Sequence, residues 1–255
     1  MSRILIEPNP TFNKSLNTEK GKGWYLDIAE MFDQTIQGEG INVGSPAVFL
    51  RLQGCTLNCV YCDTRMIKNE GNPFTFNELF DLMVYYKVID SLSEGHHLVV
   101  TGGSPLLQQE RLCLFFEFFR SEFQFLPYIE IENECTIMPS KELIPFISAW
   151  NNSPKLANSA NSLWDRYKPD VIRELASLKN SWFKFVVDQE SDIYEINKIV
   201  EFSHILNEQV MLMPKGKTRA EVLQNSEITI NLAIKHGYRY CPREHIVIWD
   251  GKNSL

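Results

Sequence analysis

The chain has no long apolar run. Nothing in its 255 residues approaches the roughly 18 consecutive apolar residues that a membrane-spanning helix requires. It has no basic surplus either: 25 Lys and Arg stand against 32 Asp and Glu, a formal net charge of −7. A protein that grips nucleic acid through its phosphates needs the opposite sign to displace counterions. Neither a membrane nor a nucleic-acid partner is expected, which leaves a small molecule. The opening residues, Met1-Ser2-Arg3-Ile4-Leu5-Ile6-Glu7-Pro8, break off too soon for a signal-peptide core, so the expected location is the reducing cytoplasm. Cysteines number only six, and in that compartment they read as metal ligands or buried thiols rather than disulfides. Internal repeats and low-complexity tracts are lacking. What is present is a globular composition, with 44% hydrophobic residues including 16 Phe, 9 Tyr and 5 Trp, enough for a large single core.

Periodicity places the elements. Residues 47–52, 97–101, 128–132, 182–187, 209–213 and 245–249 read as strands. Between them lie helical patterns. Thr75-Phe76-Asn77-Glu78 is a capping box ahead of Leu79, Leu82, Met83 and Tyr86 at helical spacing. Residues 108–123 and 191–202 are helical, Ser140 caps a helix running to residue 149, and a second capping box at Thr218-Arg219-Ala220-Glu221 opens a helix that ends at Gly237. Residues 150–181 read as an elaborated loop with a short helical stretch near 163–178. Six strands separated by helix-length segments signal βαβ units and a parallel sheet, an α/β fold. The polar residues 1–23 look like an N-terminal extension, and 24–255 like one domain.

The most informative residues are Cys55, Cys59 and Cys62, in Gly54-Cys55-Thr56-Leu57-Asn58-Cys59-Val60-Tyr61-Cys62-Asp63-Thr64. They follow the first of these strands, and in a parallel sheet that loop lies at the carboxyl ends, where ligands bind. Thiolates select zinc or iron–sulfur clusters. A structural zinc site takes four protein ligands, so a zinc reading must borrow a fourth from His96, His97 or Cys135. A cubane cluster held by three cysteines leaves one iron open to an exogenous ligand. Cys113, Cys135 and Cys241 have irregular spacing and read as buried thiols.

The spacing C-x3-C-x2-C, with Tyr61 before the third cysteine, resembles the radical S-adenosylmethionine superfamily. Within it, Phe32-Asp33-Gln34-Thr35-Ile36-Gln37-Gly38-Glu39-Gly40, Gly44-Ser45-Pro46-Ala47-Val48-Phe49-Leu50-Arg51-Leu52 and Cys62-Asp63-Thr64 are similar to the 7-carboxy-7-deazaguanine synthase family. Thr101-Gly102-Gly103, Ser153-Pro154-Lys155-Leu156, Lys184-Phe185-Val186-Val187 and Ile248-Trp249-Asp250-Gly251-Lys252 continue the likeness in order to the C-terminus.

The resemblance implies an incomplete (β/α) barrel of about six parallel strands, open on one side. It implies a 4Fe-4S cluster, S-adenosylmethionine and Mg2+ as cofactors, and a radical ring contraction of 6-carboxy-5,6,7,8-tetrahydropterin to 7-carboxy-7-deazaguanine with loss of ammonia. The metal ligands it implies are Cys55, Cys59 and Cys62 for the cluster and Thr64 for magnesium, a hard oxygen donor suited to that ion. Substrate would meet Ile36, Gln37, Gly38, Glu39, Thr101 and the terminal Leu255, with Arg51 pairing its carboxylate through the guanidinium fork. S-adenosylmethionine would meet Tyr61, Cys62, Asp63, Gly103, Ser153, Pro154, Lys155, Met213 and Pro214. An electron donor such as a flavodoxin or ferredoxin and a homodimer are further implications. The chain departs from the family at Gly102-Gly103-Ser104-Pro105, where Gly-Gly-Glu-Pro is frequent and the Glu side chain meets the cofactor's amino group. It departs again at Glu132-Asn133-Glu134-Cys135, where Asn-Gly is frequent. Residues 1–23 and the segment around 156–181 lack a clear family counterpart, and the ending Ser254-Leu255 deviates from the usual end. A glycyl-radical-enzyme activase shares the cysteine spacing, and a zinc-binding adaptor is the alternative from a non-enzymatic class.

Overall fold

The computed structural model describes residues 2–8, 24–65 and 71–250. The first strand, β1 (Arg3–Ile6), lies within the 1–23 extension and pairs antiparallel with β2 (Tyr25–Ile36). Arg3 fastens it there through a 2.5 Å ion pair with Asp33. Next come β3 (Pro46–Leu52), β4 (Asn72–Thr75), α1 (Phe76–Tyr85), α2 (Val88–Ser93), β5 (His97–Gly102), α3 (Gln109–Phe123) and β6 (Tyr128–Asn133). The chain continues through β7 (Ala149–Asn152), α4 (Leu163–Arg166), α5 (Pro169–Ser177), β8 (Ser181–Val187), α6 (Asp192–Phe202) and β9 (Val210–Pro214). It closes with α7 (Arg219–His236), β10 (Arg239–Tyr240) and α8 (Glu244–Trp249).

All the strands join one sheet in the order β1-β2-β3-β5-β6-β7-β8-β9-β10, with β4 paired to β2. From β3 to β10 every neighbouring pair is parallel. This is the α/β architecture expected from the sequence, a run of parallel strands, and antiparallel strands extend it at the β2 side. The sheet is open, with β1 and β10 at its two ends. Helices cover it as the periodicity predicts. Both capping boxes form, Thr75 with Glu78 and Thr218 with Glu221. Gly237 ends α7 in the left-handed conformation at φ 69°. Under α1 and α3 the fully buried rings of Phe76 and Phe115 meet edge to face at 5.5 Å, adding to the transfer free energy of large apolar groups.

Two expectations are corrected. Residues 245–249 are helical, not a strand. Their apolar run suggests β-structure, but Arg219 donates to the carbonyls of Val247 and Ile248 and satisfies the helix end, and such tertiary contacts override weak propensity. The helix expected from Ser140 to residue 149 is also absent. Ser140 does cap a turn by accepting from Leu143 N at 3.2 Å, but Pro145 cannot continue a helix. After the short 3-10 turn Ile144–Phe146 the chain becomes β7. The sixth principal parallel strand is therefore Ala149–Asn152. The long β2 carries no clean alternation because most of it is buried on both faces.

Candidate active site

A parallel sheet puts the carboxyl ends of its strands on one edge, and here that edge walls a cavity of about 370 Å³. Cys55, Cys59 and Cys62, in the loop after β3, stand on one side of it. Gln37 and Glu39 after β2, Arg51 on β3, Thr101 on β5, Glu132 on β6 and Lys184 on β8 line it too.

The cysteine loop is held from two directions. Thr56 N donates to Ser104 Oγ at 3.0 Å, and Ser104 Oγ lies 3.8 Å from Cys55 Sγ. Asn161 reaches in from the segment after β7: its Oδ1 accepts from Asn58 N at 2.8 Å, and its Nδ2 donates to Cys59 Sγ at 3.2 Å. The region that looked like a loop without a counterpart thus holds the cysteines in place. Leu57 N donates to Cys55 Sγ at 3.4 Å. Hydrogen bonds to cysteine sulfurs are what set the properties of an iron–sulfur centre. Gly103 makes the loop possible, because a Cβ there would lie 2.3 Å from both Cys55 Cβ and Gly54 O. Its smallness therefore serves the packing of the cysteine loop itself.

Among the described residues, no three His, Cys, Asp or Glu side chains are grouped as they would be around one metal ion. All three cysteines line the cavity wall, and three thiolates in one cavity are the donor set of an iron–sulfur cluster. Two cavity residues nearby carry buried polar atoms without a partner among the described residues, Tyr61 Oη and Glu134 Oε2. Burial pushes the Tyr61 phenol well above its ordinary range, so it stays a neutral donor. Cysteines sharing one cavity with orphaned polar groups fit a cluster and a polar cofactor beside it.

A line of alternating charge crosses the floor. Lys184 Nζ donates to Glu132 Oε1 at 3.0 Å and to Glu39 Oε2 at 2.8 Å. Glu39 Oε1 lies 3.5 Å from Arg243, and Arg243 donates to Asp63 at 2.7 Å, tying the cysteine loop to the floor. Burial by itself would push the Glu39 carboxyl up, but chiefly Lys184 and Arg243 outweigh it and hold it well below the carboxylate range. Burial would likewise depress the Lys184 ammonium, yet Glu132 and Glu39 hold it charged and raised. Burial also lowers His245 against the pull of Glu39, so its ring tends to the neutral form. Cys241, pushed up to about 11 mainly by burial, is a protonated thiol that accepts from Gly40 N at 3.0 Å.

The residues expected at the site converge. Ile36, Gln37, Gly38, Glu39, Arg51, Thr101, Tyr61, Asp63, Gly103, Ser153, Lys155, Met213 and Thr64 all line the cavity with the cysteines. Pro154 and Pro214 are not part of its wall, and Leu255 lies outside the described residues. Several have protein partners already. Arg51 Nε donates to Glu30 at 2.5 Å, Thr101 Oγ1 donates to Glu132 at 2.9 Å, and the Asp63 carboxylate is taken by Arg243. Sequence reasoning missed Glu30, Glu132, Glu134, Lys184, Arg243 and His245. Glu130 and Glu132 share one face of β6 through the period of two, and that buried acidic alternation was the available signal.

The charge line generates a pH dependence. The stability contributed by Glu39 is in place above about pH 4.3, the ordinary Glu value, and is lost as pH falls below it toward the lowered folded value. Lys184→Met removes the principal cation. It is expected to cost about 2–4 kcal/mol near neutral pH, because two half-buried carboxylates lose their partner, and to abolish that acid-side slope. Urea denaturation from about pH 2 to about pH 7 checks both; unchanged stability at neutral pH contradicts the assignment.

Residues 36–130 match the model of a 4Fe-4S single cluster domain. A 7-carboxy-7-deazaguanine synthase of Pyrobaculum aerophilum is 34% identical over 224 residues, covering 87% of this chain and 94% of that one. One from Halobacterium salinarum is 32% identical over 252 residues, covering 90% and 93%. The crystal structure of QueE from Escherichia coli shares the fold, with a TM-score of 0.64 at 20% identity over 87% of this chain and 95% of that one. Identity of this level running through nearly the whole of both chains leaves one conclusion: the chain belongs to the 7-carboxy-7-deazaguanine synthase family, radical S-adenosylmethionine lyases of queuosine biosynthesis.

Proposed function

We propose that the chain converts 6-carboxy-5,6,7,8-tetrahydropterin to 7-carboxy-7-deazaguanine with release of ammonia, in the cavity at the carboxyl edge of its sheet. The observation that carries the reading is the meeting in one cavity of three cysteines with a hydrogen-bonding set of buried Gln37 and Thr101 and half-buried Glu132. Such a set matches the amino and amide edge of a pterin, whose donors and acceptors would otherwise be left unpaired on burial. Phe32 and Phe49, stacked at 4.9 Å, give the same cavity a flat apolar wall.

In this reading Cys55, Cys59 and Cys62 hold the 4Fe-4S cluster. Tyr61, Asp63, Gly103, Ser153, Lys155 and Met213 surround S-adenosylmethionine, with Pro154 and Pro214 shaping the backbone on either side. When bound, the cluster and S-adenosylmethionine supply the radical chemistry, and the protein supplies position and exclusion of water. Arg51, its Nε held by Glu30, keeps its terminal nitrogens for the substrate carboxylate. Ile36, Gln37, Gly38 and Glu39 border the ring, and the terminal Leu255 is assigned to the substrate. Gly38 has to be glycine, since a Cβ there would lie 2.1 Å from His245 Nδ1. Thr64, whose Oγ1 lies 3.7 Å from Cys62 Sγ, offers Mg2+ one hydroxyl, the rest of the shell being water and substrate because that ion dehydrates reluctantly. The proposal extends to a small one-electron donor such as a flavodoxin or ferredoxin, to a homodimer, to the absence of a nucleic-acid partner in keeping with a net charge of −7, and to the cytoplasm, where six free thiols stay reduced. No helix of the described residues is long and apolar enough to cross a membrane.

The direct test is anaerobic incubation with the carboxypterin, S-adenosylmethionine, Mg2+ and a reductant, followed by mass analysis for the deazaguanine. Cys59→Ala is expected to lose both the visible cluster absorbance and turnover. Cys113→Ala, on α3 away from the cavity, should keep both. Full cluster content in the Cys59→Ala protein would overturn the assignment.

Arg51→Lys keeps the charge and loses the planar fork, so KM for the pterin should rise about tenfold or more while cleavage of S-adenosylmethionine in the absence of substrate persists. Loss of that uncoupled cleavage would give Arg51 a cofactor role instead. Thr64→Val should lower turnover and its response to Mg2+, and Thr64→Ser should retain both. A parent-like Mg2+ titration in the Val protein would remove the metal role.

A further inference from the structure

We propose that Glu130 is the positioning residue of the turn between β2 and β3, where one acceptor oxygen holds residues 37–41 in the shape that receives the pterin; the inference rests on the reading of that turn as the border of the substrate. Glu130 is fully buried on β6, two residues before Glu132 and on the same face of the strand, but it is not part of the cavity wall. Its Oε2 accepts from Asn151 Nδ2 at 2.7 Å and from Gln37 Nε2 at 3.4 Å. Asn151 is fully buried as well, and its Oδ1 accepts from Ile41 N at 3.3 Å. Gln37 Oε1 accepts from Glu39 N at 3.3 Å. One oxygen of Glu130 therefore ties down both ends of the segment 37–41, one through Gln37 and the other through Asn151. Without it, buried amide groups on both sides would lose a partner, which is costly away from water.

The turn depends on this support. Backbone bonds close its base, with Gln37 N donating to Ser45 O at 2.8 Å and Gly44 N to Gln37 O at 2.7 Å. Beyond the base it leans on side chains. Gly40 N donates to Cys241 Sγ at 3.0 Å, and sulfur is a weak acceptor. Gly40 itself sits in the left-handed region at φ 81°, and a Cβ there would lie 2.6 Å from Asn151 Oδ1. The backbone is thus pressed directly onto Asn151, a contact that only glycine permits.

His97 fixes the other oxygen. Its Nδ1 lies 2.6 Å from Glu130 Oε1, and its ring stacks on Tyr128 with centroids 4.2 Å apart. His97 opens β5, so it stands at the amino end of a strand parallel to β3, away from the edge that carries the cysteines, and it is not part of the cavity wall. The histidine that a zinc reading could borrow is committed to Glu130 instead. With Oε1 held by His97, Oε2 faces Asn151 and Gln37. A turn already ordered spares the substrate the cost of ordering it. Where only a fraction of the molecules holds the competent shape, apparent affinity falls by that fraction and the bound complex is unchanged. Loosening the tie therefore acts on KM and leaves kcat in place.

The test measures kcat and KM for 6-carboxy-5,6,7,8-tetrahydropterin, and pterin-free cleavage of S-adenosylmethionine, in proteins matched for iron and sulfide content. Glu130→Met keeps the bulk and removes the acceptor. KM should rise about five- to tenfold, the loss of one or two hydrogen bonds. The same variant should keep kcat within about twofold of the parent and leave pterin-free cleavage unchanged. Asn151→Ala cuts the tie from the side of the turn and should act alike, so it carries the test where the Met variant does not fold. Glu130→Gln restores the acceptor: its amide oxygen can face Asn151 while its NH2 meets His97, whose ring nitrogen accepts in one tautomer, and KM should return to within about twofold of the parent. Amide exchange without substrate should quicken in residues 37–44 of the Met variant and hold steady in the cysteine loop. An unchanged KM in either folded variant overturns the proposal. So does a fall in kcat or in pterin-free cleavage as large as the change in KM, which marks general disruption of the site. Exchange that quickens equally in the cysteine loop, or a Gln variant as impaired as the Met variant, overturns it too. A parent that neither binds nor turns over the pterin refutes instead the assignment of substrate on which the proposal stands.

Discussion

Parallel pairing from β3 to β10 sends the carboxyl end of every one of those strands to the same edge, and the whole site depends on that geometric constraint. Residues far apart in sequence, Arg51, Thr101, Glu132, Lys184 and Met213, come to line one cavity because their strands run in the same direction side by side. The antiparallel β2 meets them from the other direction, bringing Gln37 and Glu39 to the cavity as it leaves the sheet. Helices α1 and α3 keep their aromatic side chains against one another and the sheet, so the apolar packing lies apart from the polar edge.

That edge concentrates buried charge, which alone is unfavourable. The alternation Glu132, Lys184, Glu39, Arg243, Asp63 solves the problem by giving every ion an opposite neighbour. Buried pairs of this kind add little net stability compared with apolar packing. Their effect is to fix geometry, since each inner member of the line, Lys184, Glu39 and Arg243, is held by two others and the cysteine loop is held through Asp63. A cavity that must position a substrate and a cofactor together gains more from such fixed groups than from a softer apolar lining.

Much of this was legible in the chain. Capping boxes at Thr75 and Thr218 are local, so their helices begin where the sequence says. The cysteine spacing is local too, as is the strand that precedes it. What escaped was non-local. The run at 245–249 looks like a strand until Arg219 supplies its helix end from α7, and Ala149–Asn152 is a strand only because β6 and β8 lie on either side of it. Lys184 and Arg243 could not be assigned because a buried cation is identified by its partners, which come from other strands. The departures at Ser104 and Glu134 looked like two separate losses; in the fold they share Thr56.

The central claim is that three cysteines hold a cluster with an open coordination position in the same cavity that receives S-adenosylmethionine. Electron paramagnetic resonance of the reduced, reconstituted protein tests it most directly. The account predicts a 4Fe-4S signal that changes in g values when S-adenosylmethionine is added. A full cluster whose signal S-adenosylmethionine leaves unaltered, at concentrations where the ligand is bound, would contradict it.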